Sequence, residues 1–156
     1  MSGATKLMDD ESLAAWICAR RDEGERVIFT SGCFDVLHVG HVRSLRAARA
    51  LGHRLVIGLN SDSSVRALKG EDRPYFAQEE RAEVLSALDP VDAIVVVPET
   101  TMDRVLDVLR PDVFAKGTDY TPDTIPERDT VRAYGGELAI VGDPKTRSSR
   151  QFRIIR

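Results

Sequence analysis

Cysteine is scarce in this chain. Cys18 and Cys33 are the only two, one in an N-terminal amphipathic segment and one in a turn of small residues, which excludes a disulfide framework and reads as two free thiols. Charge of one sign is missing as well. Twenty-two basic residues against twenty-five acidic ones leave a formal charge of −3. The chain as a whole therefore offers no field for nucleic acid or an acidic membrane, although a local basic cluster can still serve a small phosphorylated ligand. Long apolar runs are absent too. The start, Met1 to Glu11, is polar and acidic, and the apolar stretch Leu13 to Ala19 is short and followed by Arg20-Arg21. Neither a signal peptide nor a membrane span is expected, and the cytoplasm is the expected compartment. There are no internal repeats and no low-complexity tracts. At 156 residues the chain suits one core that buries roughly two-thirds of its unfolded surface.

What is present alternates between strand and helix patterns. A helix is expected from about Asp10 to Arg21, with Ser12 as its cap and Leu13, Trp16 and Ile17 as its apolar stripe. Then come a strand at Val27-Ile28-Phe29 and a helix through Leu51 stopped at Gly52. Next are a strand from Arg54 to Leu59, a short helix from Ser63 to Leu68, and a polar loop from Lys69 to Ala77. A helix from Gln78 to Leu88 turns Val84, Leu85 and Leu88 inward, and the apolar run Val91 to Val97 reads as a strand covered on both faces. Thr100-Thr101-Met102-Asp103 caps a helix through Arg110, halted by Pro111. Val113-Phe114-Ala115 is a strand, and residues 118–126 read as a mobile loop. A helix from Glu127 to Tyr134, a strand from Leu138 to Val141 and a last helix from Ser148 to Ile155 complete the series. The pattern implies a Rossmann-like α/β fold, a doubly wound parallel five-stranded sheet with helices on both faces. Ligands of such sheets sit beyond the carboxyl ends of the strands. Thr30 to Asp35, Asn60 to Asp62, Lys116 to Asp119 and Arg147 to Ser149 all follow strands.

The chain is organised around Thr30-Ser31-Gly32-Cys33-Phe34-Asp35-Val36-Leu37-His38-Val39-Gly40-His41. A strand, a turn of small residues and a helix start send backbone N–H groups and the positive end of a helix dipole toward one point, a natural place for phosphate. If the helix begins near Val39, His38 and His41 share one face at its N-terminal end. Gly40 between them leaves room for a ligand to approach. Two histidines so placed read as ordinary polar residues at a helix start, as part of a metal site, or as a phosphate-binding pair. Zinc wants three or four ligands, and beyond His53 and the two cysteines little is left to complete a set.

The neighbouring residues favour phosphate. Gly32 to His41 resembles the signature of the cytidylyltransferase-like nucleotidyltransferases, whose histidine-x-glycine-histidine turn grips a nucleotide triphosphate. Asn60-Ser61-Asp62, Lys69-Gly70-Glu71-Asp72-Arg73-Pro74 and Lys116-Gly117-Thr118-Asp119-Tyr120 are similar to the domain that makes ADP-heptose from heptose 1-phosphate. The likeness runs from about Val27 to the C-terminus. It implies a nucleotidyltransferase domain at 25–156, with residues 1–24 as a helical extension packing on it.

The resemblance also implies roles. His38, His41 and Lys116 would be catalytic. Thr30, Ser31, Gly32, Cys33, Phe34, Gly40, Asn60, Asp62, Lys69, Gly117, Asp119, Arg147, Ser148 and Ser149 would bind nucleotide, and Asp35 and Arg73 the acceptor. Ordinary alternatives stand beside several of these. Lys69, Arg73 and Lys116 also fit solvated charges, Asp35 a turn aspartate, and Arg81 a salt bridge on a helix surface. Ser148 with Gln151 fits a capping box, and Arg150 stands where the family usually shows a third hydroxyl. The implied reaction moves AMP from ATP to a sugar 1-phosphate, with Mg²⁺ on the triphosphate and no protein ligand set for the metal. A homodimer and a separate upstream sugar kinase are expected on the same ground. Two other activities fit the same motifs: a CTP-dependent enzyme acting on glycerol 3-phosphate or a similar polyol phosphate, and a nucleotide-binding regulator without turnover.

Overall fold

The computed structural model describes residues 5–143. In chain order the elements are α1 (Asp10–Asp22), β1 (Val27–Gly32), α2 (Val39–Arg49), β2 (Arg54–Asn60), α3 (Asp62–Lys69) and α4 (Gln78–Ser86). They continue with β3 (Ala93–Val97), α5 (Asp103–Leu109), β4 (Val113–Lys116), α6 (Arg128–Ala133) and β5 (Glu137–Ile140). All five strands pair in parallel in the order β3-β2-β1-β4-β5. The chain winds outward from β1 in one direction and then in the other, so the order reverses between β1 and β4.

The strands read as near-continuous apolar runs because both faces of the sheet are covered. Phe29 and Phe114 turn to one face, where Leu13 and Ile17 of α1, Leu106 and Leu109 of α5 and Val131 of α6 close the core. Ile28, Leu55 and Ile57 turn to the other, against Leu45 and Ala48 of α2 and Ala82 and Leu85 of α4. The N-terminal helix is thus built into the main core. The segment before it joins the sheet edge, since Met8 N–H donates to Ile94 O at 2.8 Å. Among the described residues no helix is long and apolar enough to cross a membrane.

Several local expectations change. The cap of α1 is Asp9, whose Oδ1 accepts the Ser12 N–H at 2.7 Å, and Ser12 lies inside the helix. α2 ends at Arg49 with Ala50 as its right-handed C-cap. Gly52 is needed for packing instead, because a Cβ there would stand 2.8 Å from Arg26 O. On α4 the inward residues are Arg81, Ala82 and Leu85, while Val84 is exposed. β3 begins at Ala93, and Asp92 before it accepts the Leu55 N–H at 2.8 Å, stitching β2 to the strand entry. α5 carries no side-chain cap of its own. The 118–126 segment is pinned by turns at Tyr120 and Thr124 and by Ile125, which is fully buried. Arg147, Ser148, Ser149 and the final helix lie outside the described residues.

Candidate active site

The reversal of strand order puts the carboxyl ends of β1 and β4 side by side, where an open α/β sheet forms its crevice. Thr30 ties the two strands there, its Oγ1 donating to Ala115 O at 2.8 Å. Above them opens a cleft of about 980 Å³. It is bordered by Thr30 to Phe34, His38, Gly40 and His41 from the first turn, Asn60 from the end of β2, Lys69 from the end of α3, and Lys116, Gly117 and Asp119 from the end of β4.

His38 is the N-cap of α2, and the two histidines satisfy each other's turn. His38 Nδ1 accepts the Gly40 N–H at 3.1 Å, while His41 Nδ1 accepts the His38 N–H at 3.2 Å. The pattern is a capping box with imidazoles in place of the usual hydroxyl and carboxylate. A ring nitrogen that accepts a backbone N–H carries no proton, so Nε2 is the N–H donor of each neutral ring. The rings lie 4.0 Å apart, centroid to centroid, and His41 packs at 5.5 Å against Phe34. Gly40 does not hold space for a ligand. A Cβ there would stand 2.8 Å from His38 Cε1, so the glycine makes room for the folded-back imidazole. Phe34 itself has φ of +46°, a left-handed conformation costly for an aromatic residue.

That strained turn is held from beneath by Arg81. Its Nη1 donates to Cys33 O at 2.7 Å and Asn60 O at 2.8 Å, Nη2 to Asp62 Oδ1 at 2.8 Å, and Nε to Phe76 O at 2.9 Å. With 2% exposure it is a clamp joining the ends of β1 and β2, not a surface ion pair. Sequence reasoning gave it too small a part. The available signal was its position four residues before Leu85, on the inward face of α4.

Asp35 is buried and anchors the loop that follows α3. Tyr75 and Phe76 N–H groups and Arg73 Nε, the last at 2.7 Å, donate to its carboxylate. Burial alone would raise its pKa, but these donors outweigh that and hold the carboxyl below the usual range. Asp35 and Arg73 thus meet each other, and Arg73 does not border the cleft. Arg73 retains one buried donor, Nη2, with no partner among the described residues.

The other expected residues divide similarly. Asn60 donates to Ser64 Oγ at 2.8 Å and receives the Cys33 thiol, whose pKa burial pushes up. Asp62 opens α3 and faces Arg81. Lys69 ends α3 at the cleft edge. Lys116 Nζ reaches Ser31 Oγ at 3.3 Å and lies 4.8 Å from the centre of the Tyr120 ring. The bordering residues that escaped sequence reasoning include Arg43, paired with Asp143 at 3.2 Å, and the buried Glu127. Two imidazole N–H donors, two lysines and a helix N-terminus around one cleft make a site for a polyanion.

Comparison with known proteins agrees with this geometry. A family model described as cytidylyltransferase-like matches residues 29–148. The bifunctional protein HldE of Geobacter sulfurreducens is 49% identical over 147 residues, covering 94% of this chain and 30% of that protein. The bifunctional protein HldE of Methylobacillus flagellatus is 48% identical over 138 residues, covering 88% and 28%. The chain therefore spans less than a third of the length of these relatives. Among solved structures, the lipopolysaccharide core biosynthesis protein from Thermoplasma volcanium aligns with a TM-score of 0.68 at 26% identity, over 78% of this chain and all of that one. Pantoate-beta-alanine ligase from Francisella tularensis, complexed with beta-gamma ATP and beta-alanine, reaches 0.65 at 13% identity, over 95% of this chain and 72% of that one, a likeness of fold alone. With the match extending over most of its length, the chain belongs to the cytidylyltransferase-like family.

Proposed function

We propose that this chain transfers AMP from ATP to a sugar 1-phosphate, a heptose 1-phosphate by resemblance, releasing pyrophosphate. The observation that carries the reading is the reciprocal cap of His38 and His41, which fixes two N–H donors and a helix N-terminus at one edge of the cleft. An oxygen of the acceptor phosphate attacks the α-phosphorus. The new P–O bond forms as the bond to the β-phosphate oxygen breaks, and pyrophosphate leaves with the electron pair. Such a transfer asks the protein for positioning and charge neutralisation. His38 and His41 hold the phosphates and meet charge as it develops, Lys116 bridges toward the acceptor, and Lys69 closes on the phosphates from the end of α3. Gly117 leaves the β4 end open for close approach, Asp119 faces the ribose, and Arg147 to Ser149 keep their nucleotide role by resemblance. Asp35 and Arg73 act on the acceptor by shaping the loop at 73–76.

Among the described residues no three His, Cys, Asp or Glu side chains form a metal cage. Mg²⁺, expected from the triphosphate substrate, would supply further charge neutralisation when bound. The part in lipopolysaccharide core biosynthesis that the Thermoplasma volcanium protein is named for supports a sugar acceptor, as does the resemblance of the Lys69 to Pro74 and Lys116 to Tyr120 loops to the heptose-type domain. The sugar 1-phosphate would come from a kinase in the cytoplasm, and the active form would be a homodimer, visible as a doubled mass in sedimentation. Mass spectrometry of the product is the test of the reading: an ADP-sugar formed from ATP and heptose 1-phosphate supports it, and intact substrates refute it.

A further inference from the structure

Glu127 stands four residues before Val131 on the inward side of the α6 entry and is 4% exposed, yet it borders the cleft. Its Oε2 accepts the Met102 N–H at 2.9 Å, covering the N-terminus of α5 that lacks a side-chain cap. Its Oε1 is buried and has no hydrogen-bond partner among the described residues. A buried carboxylate oxygen without a donor is costly, and capping α5 needs only one of the two oxygens. The second oxygen is therefore set for a donor that arrives with a ligand.

The surroundings define that donor. Cationic and imidazole groups border the cleft from the first turns of α2, the end of α3 and the end of β4, as His38, His41, Arg43, Lys69 and Lys116. Thr100, Thr101, Met102, Pro126 and Glu127, which border the same cleft, bring hydroxyls and a carboxylate and no cation of their own. A phosphate next to Glu127 would be repelled, whereas a neutral hydroxyl would be bound. We propose that Glu127 Oε1 accepts a hydroxyl of the acceptor sugar, making its surroundings the subsite that selects among sugar 1-phosphates. The proposal rests on the reading that the acceptor is a sugar 1-phosphate and adds a specificity-determining residue to it.

The test is steady-state pyrophosphate release by the full chain with Mg²⁺, varying ATP and sugar 1-phosphate separately, for wild type and Glu127→Gln. Glutamine keeps an oxygen for the Met102 N–H but replaces the free acceptor with an amide. The expected result is a KM for the sugar phosphate raised by about tenfold, the effect of one hydrogen bond to a charged group. The KM for ATP and the melting temperature should stay near wild type. Acceptors lacking single hydroxyls should show one position whose removal costs wild type about tenfold and the variant little. Should Glu127→Gln fail to fold, Glu127→Asp, which keeps the charge and withdraws it by one methylene, must give the same selective rise. An equal rise in both KM values, a rise for ATP alone, or no change overturns the assignment. Wild-type silence with every sugar phosphate overturns the acceptor reading itself, before any variant is compared, and takes the subsite with it.

Discussion

The imidazoles of His38 and His41 are joined through one turn of backbone: His41 Nδ1 accepts the N–H of His38, while His38 Nδ1 accepts that of Gly40. The same atoms that close the first turn of α2 set the tautomer of both rings. Capping and phosphate binding are therefore separable only by variants that keep one and lose the other.

His41→Ala should lower kcat by about a hundredfold or more, the scale of one preorganised donor in a transition state. The stability cost should be only about 1 kcal/mol, that of a lost helix cap. Pyrophosphate kinetics beside urea unfolding separates the two. Near-normal turnover in the folded variant would remove His41 from the chemistry.

Arg81→Met should destabilise by about 3 kcal/mol or more, because it strips donors from the Cys33, Asn60 and Phe76 carbonyls at once. Arg81→Lys should recover little of this, since one ammonium lacks the planar fork that spans both strand ends. Urea titration of the three proteins decides it, and a lysine variant as stable as wild type would show that the fork is dispensable.

Asp35 gives the chain a pH dependence of defined sign. Its folded-state pKa is depressed, so its contribution is complete above the ordinary carboxylate value and is lost as pH falls through the folded one. The stability gap between wild type and Asp35→Asn should stay flat from neutral pH down to about 5 and close progressively below about 4. A gap that widened on acidification would contradict the Arg73 and backbone anchoring.

Gly40→Ala places a methyl 2.8 Å from His38 Cε1. Overpacking costs about 1–3 kcal/mol, against a helix-propensity gain of at most about 1 kcal/mol. The imidazole should be displaced and the KM for ATP should rise about tenfold, the equivalent of about 1.4 kcal/mol. Unchanged nucleotide binding would mean that His38 tolerates movement.

The strand-turn-helix at Thr30 to His41, the parallel sheet and the family were legible because each rests on local pattern: apolar runs, small-residue turns and a motif of fixed spacing. Side chains whose meaning lies in distant backbone were less so. Arg81 reads as one more charge on a polar helix until β1 and β2 bring the Cys33 and Asn60 carbonyls to it. Glu127 opens a short helix in sequence and caps a different one, α5, in space. Asp9 and Ser12 are both good cap residues, and only the register of Leu13 and Ile17 in the core decides for Asp9. Gly52 resembles a helix stop, but its lack of a Cβ answers to Arg26 O across the chain.

The most direct test of the proposed activity is pyrophosphate release with Mg²⁺, crossing ATP, CTP, GTP and UTP against heptose 1-phosphate, other sugar 1-phosphates and glycerol 3-phosphate. The expected signal is confined to ATP with heptose 1-phosphate. Turnover of CTP with a polyol phosphate would contradict the substrate assignment, and ATP binding with silence across the whole panel would contradict catalysis itself.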